Sequence, residues 1–312
     1  MDAEVSAGQA VVARAEPRRR RFNVTPYLFI LPHLIFFAVF LAWPFFFGIY
    51  TSLFDFDFLR PQRRPFIGLE NYFNLFDPAA TEFRDFWRAM RATGEFLLWS
   101  VPPLVILALF LSLLLNGRYR GRNFFRLIFF APFTLSAVAA GVLWWWLFQG
   151  SGGLVNHLLE GIGLNGLNWL STMPEAWIAI TICTVWWTVG FNTVIFLAAL
   201  QDIPPVLYEA AAIDGASPPR RFWHITLPML RPVLVLVITI TLIASANLFA
   251  QPYIMTAGGP LQRTEPIVFR IYAEGIRGAQ MGSAAAMSVV VASILLLLTA
   301  LNFRFFGQTE RE

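Results

Sequence analysis

The chain has 312 residues, 57% hydrophobic and 13% charged, with a formal net charge of +4. A soluble domain is about half apolar and about a quarter charged, so this balance is that of a membrane protein. All 23 basic residues are Arg, which excludes a Walker-type nucleotide site and Schiff-base chemistry, since both need a Lys.

Residues 1–25 are rich in Ala and Arg without apolar period, and they read as a disordered cytoplasmic tail. Arg18 to Arg21 hold it at the inner face through topology and anionic lipid, and nucleic acid is not an expected partner. Six charge-free runs follow, near 27–54, 96–116, 127–148, 176–200, 233–257 and 283–303. A span needs about 20 apolar residues, so each is long enough to cross a bilayer. The first begins too deep, with too many others after it, to be a cleaved signal. In lipid the backbone must satisfy its own hydrogen bonds, so the runs are helices. The fold class is therefore an all-α integral membrane protein of six transmembrane helices. Residues 26–306 form one domain, and 307–312 a second cytoplasmic tail. Three connections are expected on the outer side. The first, 55–95, carries a surface helix in "PFIGLENYFNLF"; 149–175 carries a short helix near "GLVNHLLEGI"; 258–282 follows a "GGP" break.

Arg placement sets the orientation. Six spans put both termini on one side. That side carries 14 Arg and eight acids against nine Arg and eleven acids opposite. The Arg-rich side is cytoplasmic, although the 55–95 loop has six Arg of its own beside seven acids.

The 202–232 connection is unlike a plain loop. Asp202 reads as an N-cap, with Pro204 and Pro205 in the permitted first turn. A helix then runs through "VLYEAAAI", with Val206, Ala210 and Ile213 along one stripe. Gly215, in a positive-φ turn, ends it. Ser217 reads as the cap of a second helix starting at Pro218 and Pro219 and showing Phe222, Ile225 and Met229 on one face. Pro228 and Pro232 are expected to break that helix before span five. The outcome is a cytoplasmic helix–turn–helix.

No Asp, Glu, Lys or Arg lies inside a span. This disfavours a proton-coupled carrier and suits an uncharged, hydroxyl-rich solute, which amides and hydroxyls can hold without a large desolvation penalty. Span four supplies Asn192 and one of the pair Trp186 and Trp187, with Trp186 taken as the pathway residue. Span five supplies Thr239, Thr241, Ser245, Asn247 and Gln251, followed by Tyr253. At 1.5 Å per residue, Asn247 lies roughly 22 Å from the inner start of its span. Asn192, Trp186, Asn247, Gln251 and Tyr253 are the candidate pathway residues; interhelical hydrogen bonding and packing are the structural alternatives. Trp144 to Trp146 read as an interfacial belt. Cys183 reads as a small core residue, and His33, His157 and His224 lack metal-ligand spacing.

Glu209-Ala210-Ala211, then Asp214-Gly215-Ala216, Phe222, Ile225, Leu227-Pro228 and Pro232 resemble, position by position, the EAA loop of binding-protein-dependent ABC importer permeases. "SPP" at 217–219 departs from that pattern. "YLFILPHLIFFAVFLAWPFFFGIYTSLFDF", "FIGLENYFNLF", "FRLIFFAPFTLSAVAAGVLWWWLF", "GGLVNHLL" and "YIMTAGGP" are similar to the maltose and glycerol-phosphate group of those permeases. Gln251-Pro252 stands where the group often has Phe-Asp. The resemblance implies a transport subunit of a bacterial-type inner membrane that is not itself an enzyme. It implies a second permease, two ATPase subunits that bind the ATP and Mg, an extracytoplasmic solute-binding protein and a sugar-like substrate. This chain itself would bind no cofactor or metal. Glu209, Ala210, Ala211, Asp214, Gly215, Phe222, Ile225 and Pro228 would form the ATPase contact. The competing reading is a secondary carrier or channel for a small neutral solute. A lipid head-group transferase built on "DGAS" fails, because no further Asp follows at helical spacing to hold a metal.

Overall fold

The computed structural model describes residues 25–117 and 119–306. Both expected tails, apart from Thr25, lie outside them. Among the described residues, five helices are long and apolar enough to cross a membrane, and a sixth crossing is available if one bent pair counts as a span.

The chain divides into two compact units, 1–47 and 48–312. The first holds α1 (Thr25–Phe37), a π turn at Ala38–Ala42 and the start of α2 (Trp43–Thr51). The π turn has a local cause. Pro44 lacks an N–H and its ring crowds the preceding turn. The chain widens just before it, with the Trp43 N–H donating to the Ala38 carbonyl, five residues back.

The second unit continues from α2 through α3 (Glu70–Asn74), within the expected surface-helix stretch, to α4 (Thr81–Asn116). α4 begins well before the expected span at 96, so the second half of the 55–95 loop is helix. Next come α5 (Arg122–Phe130), a 3₁₀ turn at Ala131–Thr134 and α6 (Ala137–Leu147). Span three is thus not one straight helix: its two arms meet at 98°. Pro132 starts the 3₁₀ turn, and Ser136 restarts the helix as an N-cap, its Oγ accepting from the Ala139 N–H at 3.1 Å. Gly190 allows the bend to close against α8 (Glu175–Asp202), since a Cβ there would lie 2.0 Å from the Phe129 carbonyl oxygen. α7 (Leu154–Gly161) precedes α8, where a short helix is expected.

The helix–turn–helix follows: α9 (Pro205–Ile213), α10 (Pro218–Arg221), a π turn at Phe222–Thr226 and α11 (Leu227–Met229). Three local expectations change. Asp202 is the last residue of α8, and Pro204 occupies the N-cap of α9. Ser217 sits at the N-cap of α10, but its side chain makes no capping bond. Pro228 does not break the second helix. A π turn precedes it at the same offset as before Pro44, the Leu227 N–H donating to the Phe222 carbonyl.

α12 (Arg231–Ala246) and α13 (Ala250–Met255) make up span five, with a break at Asn247. The expected 258–282 loop holds α14 (Ile267–Tyr272) and a π turn at Ala273–Arg277 before α15 (Met281–Phe306). Thr93 of α4 ties α14 down, its Oγ1 accepting from the Ile267 N–H at 2.9 Å.

α4, α8 and α12 pack on one another, with Leu104, Ala108, Val189, Phe196 and Val237 buried between them. Lipid tails are as apolar as leucine, so close packing and interhelical hydrogen bonds hold such a bundle together. Three such bonds converge on α12. Asn192 of α8 donates to Thr241 at 2.9 Å, Ser100 of α4 to Ser245 at 3.1 Å, and Asn302 of α15 to Thr239 at 2.6 Å.

Candidate functional site

A cavity of about 430 Å³ opens where the α5–α6 bend, α8 and the α12–α13 break meet. Thr184, Trp187, Thr188, Phe191 and Asn192 form its α8 wall. These stand at i, i+3, i+4, i+7 and i+8, one face of a helix. Thr241, Ser245, Asn247, Phe249 and Gln251 supply the opposite wall, and Phe133 and Ala137 come from the bend. Among the described residues, none that lines it carries a charge.

Three of the five candidate pathway residues meet here. Asn192 is buried and spends its amide N–H on Thr241. Asn247 is exposed and donates to the Ile243 carbonyl at 2.8 Å. Gln251 is 3% exposed, lines the cavity and makes no side-chain hydrogen bond among the described residues. Its amide atoms are not among the fully buried, unpartnered ones, so the amide opens on the cavity, where water or a ligand can satisfy it.

The other two lie elsewhere. Trp186 is off the stripe by helical geometry; it packs edge-on against Trp144, 5.7 Å between centroids, in the cluster around Phe148 and Trp177. Trp187, its neighbour, faces the cavity, and its indole N–H donates to the Leu135 carbonyl at 3.0 Å. Tyr253 stacks on Phe249 outside the cavity lining. Sequence reasoning did not name Thr184, Thr188 or Phe191, although their 3.6-residue spacing was available to it, and from the pair it took Trp186 rather than Trp187. The Trp144–Trp146 run divides similarly: Trp144 joins the packed cluster, while Trp145 and Trp146 are exposed.

The α8–α12 connection is the second element. The α9 helix ends in a Schellman turn: Gly215 N–H donates to Ala212 O and Ala216 N–H to Ala211 O at 2.9 Å. Gly215 has φ +73°, open to glycine at no steric cost. Tyr208 and Ile225 anchor the unit on Leu200, Ile203 and Leu230, and the Tyr208 hydroxyl bonds Thr226 at 2.9 Å. The Arg221 Nε closes the turn on the Ala216 carbonyl at 2.8 Å. Val206, Glu209, Ala210, Ile213, Asp214, Gly215 and Trp223 are exposed, and Ala211, Phe222, Pro228 and the anchoring Ile225 are half-buried. Ile213 is 87% exposed, the cost of presenting an apolar stripe outward.

A third feature lies between the start of α4 and α14. Arg270 meets Asp85 at 2.8 Å, Glu274 at closer range and Glu265 at 4.0 Å; Arg88 also bonds Asp85. Burial pushes the Glu265 carboxyl up, against the downward pull of Arg270 and Arg88.

Comparison with known proteins gives a single answer. Residues 95–308 match the family described as binding-protein-dependent transport system inner membrane component. The sn-glycerol-3-phosphate transport system permease protein UgpA of Escherichia coli O157:H7 is 34% identical, covering 92% of this chain and 95% of the relative. The probable ABC transporter permease protein YurN of Bacillus subtilis (strain 168) is 32% identical, covering 93% and 98%. A chain of a bacterial ABC transporter involved in import of the acidic polysaccharide alginate superposes with a TM-score of 0.75 at 25% identity, covering 92% of this chain and 96% of that one. A match over most of the chain, shared by family, relatives and fold, leaves no second assignment: this chain belongs to the binding-protein-dependent transport system inner membrane components and is a permease subunit of that kind.

Proposed function

We propose that this chain forms half of an ATP-driven import pathway for a sugar or related polyol, with the 205–229 unit as the docking surface for a separate ATPase. The observation that carries the reading is connectivity. The exposed unit joins α8 to α12, the two helices whose Thr184–Asn192 and Thr241–Gln251 faces wall the cavity. Force applied at the unit therefore acts on both walls. Coupling of this kind needs contacts that differ between two states, and a partner that closes around ATP supplies them. ATP and Mg belong to that partner, and this chain changes no bond itself.

The partners in this reading are a second permease, two ATPase subunits and an extracytoplasmic solute-binding protein. A solved complex of the alginate transporter includes its periplasmic protein bound to an alginate pentasaccharide, which supports the last. The solutes named for the relatives are hydroxylated, in keeping with an amide- and hydroxyl-lined cavity. Both termini and the 205–229 unit are assigned to the cytoplasm of a bacterial-type inner membrane on the Arg distribution.

Substitutions at Gly215 test the docking geometry. A Cβ at Gly215 would meet nothing within 4 Å, so any cost there is conformational. Holding a non-glycine residue in the left-handed region costs about 1–2 kcal/mol; Asn tolerates it best and a β-branched residue least. Uptake and co-purification of the ATPase should fall in the order Gly215→Asn, Gly215→Ala, Gly215→Val, with little loss in the first. Wild-type uptake by Gly215→Val would contradict the assignment.

Gln251→Ala and Asn247→Ala test the pathway. Losing a ligand-facing hydrogen bond is worth about 0.5–1.5 kcal/mol, so each is expected to raise the half-saturating solute concentration roughly two- to tenfold at unchanged protein yield. Unchanged kinetics and substrate range in both would remove these residues from the pathway.

A further inference from the structure

Beyond the cavity, the Phe249 wall continues into a cluster of rings. Phe249 stacks on Tyr253, with centroids 5.2 Å apart, and meets Tyr272 and Phe269 edge-on. The Arg277 guanidinium lies 5.2 Å from the Tyr253 ring centroid, 5.8 Å from Tyr272 and 5.9 Å from Phe269. One of its N–H groups donates to the Tyr253 hydroxyl at 3.2 Å.

Its neighbours differ in one respect. Arg270 is surrounded by Asp85, Glu265 and Glu274; Arg88 is held by Asp85 and Arg91 by Glu95. Arg277 is exposed and, like Arg263 of the same connection, has no carboxylate partner among the described residues; unlike Arg263 it is held over a cluster of rings. Glu265, the acid whose field reaches it, is already occupied with Arg270. A guanidinium presents five donors in a rigid fork suited to carboxylate and phosphate oxygens. The rings fix its position by cation–π attraction and one hydrogen bond to the Tyr253 hydroxyl, which leaves the other donors to a ligand, and their faces suit the apolar side of a sugar or polyol.

We propose that Arg277, framed by Tyr253 and Tyr272 behind the Phe249 wall of the cavity, binds an oxyanion on the solute, so that the importer takes a phosphorylated or carboxylated sugar-like molecule rather than a neutral one. This rests on the import reading above. The uncharged cavity does not oppose it. An oxyanion accepts strong hydrogen bonds from neutral amides and hydroxyls, and the Gln251 amide is free to give one.

The test uses the importer co-expressed with its partner subunits and binding protein, reconstituted in vesicles. ATP hydrolysis is followed with solute pairs that share a skeleton and differ in charge: glycerol 3-phosphate and glycerol, glucose 6-phosphate and glucose, galacturonate and galactose. The acidic member of a pair is expected to stimulate hydrolysis and the neutral one not. Losing a charged hydrogen bond costs enough that Arg277→Gln should raise the half-saturating concentration of the acidic solute about tenfold or more. Arg277→Lys, which keeps the charge, should recover part of that loss, as a purely structural role for the side chain would not predict. Stimulation by a neutral member equal to that by its acidic counterpart would overturn the proposal and leave the import reading standing. So would Arg277→Gln complexes, recovered in normal yield, with an unchanged half-saturating concentration. Failure of the chain to co-purify with any ATPase would remove the import reading and this assignment together.

Discussion

Arg270→Met is expected to be among the most destabilising single substitutions in the chain. Its side chain is 18% exposed and stands among Asp85, Glu265 and Glu274, themselves 19%, 8% and 12% exposed. Removing one partner from a buried ionic cluster typically costs about 3–5 kcal/mol, because the remaining charges are left uncompensated. Without the guanidinium, the Glu265 carboxyl, already raised by burial, loses the Arg270 charge that pulls it down and rises further. A carboxyl with a raised folded value binds more protons in the folded state, so the variant loses stability as pH rises through that window. Thermal unfolding in detergent should therefore show a large loss at neutral pH that narrows towards the ordinary carboxylate range. A melting temperature equal to that of the wild type at neutral pH would show that the cluster does not hold α14 to α4.

Gly190→Leu is the second. The Cβ position lies 2.0 Å from the Phe129 carbonyl oxygen and 2.8 Å from the Phe130 Cα, both backbone atoms that cannot swing aside as a side chain can. Overpacking a well-filled interior costs about 1–3 kcal/mol and occasionally more, and a backbone collision belongs at the upper end. The α5–α6 bend must move off α8, taking Phe133 and Ala137 out of the cavity wall. Both the melting temperature and uptake should fall, and Gly190→Ala should already show the effect. Gly94→Ala is the control of opposite sign. Nothing lies within 4 Å of its Cβ position, and Ala is better than Gly in a helix interior by about 0.5–1 kcal/mol. A tolerated Gly190→Ala would mean that the bend is not seated on α8 as described.

These two sites mark where the sequence could be read and where it could not. Long apolar runs identify α2, α4, α8, α12 and α15, because composition alone fixes which segments can face lipid. The α5–α6 bend is invisible to composition: residues 127–148 are charge-free throughout, and what turns the chain is Pro132, the Ser136 cap and a glycine on another helix. The extension of α4 to Thr81 and the presence of α14 were hidden for the opposite reason. Charged residues interrupt their apolar pattern, and only in three dimensions do Asp85, Arg270 and Glu274 neutralise one another. Within the cavity, Asn192, Asn247 and Gln251 are visible as polar residues in apolar spans. Phase along α8 puts Trp187 rather than Trp186 on the cavity face that Thr184, Thr188 and Asn192 mark. The 205–229 unit was the most legible part, since Pro, Gly and a Schellman turn leave direct traces in sequence. Pro228 was misread because a π turn lets a helix absorb a proline.

If the 205–229 unit seats an ATPase, a crosslinker carried on its exposed face will reach that subunit. Cys183 is buried and is the only cysteine of the chain, so a cysteine at Ile213 places a single reactive thiol at the most outward apolar position of the unit. A thiol-attached photocrosslinker there, activated in native membranes competent for uptake, is expected to trap an ATP-binding subunit identified by mass, and Gly215→Val is expected to diminish that adduct. Adducts with lipid alone, or with a second copy of this chain, in membranes that still transport, would contradict the claim.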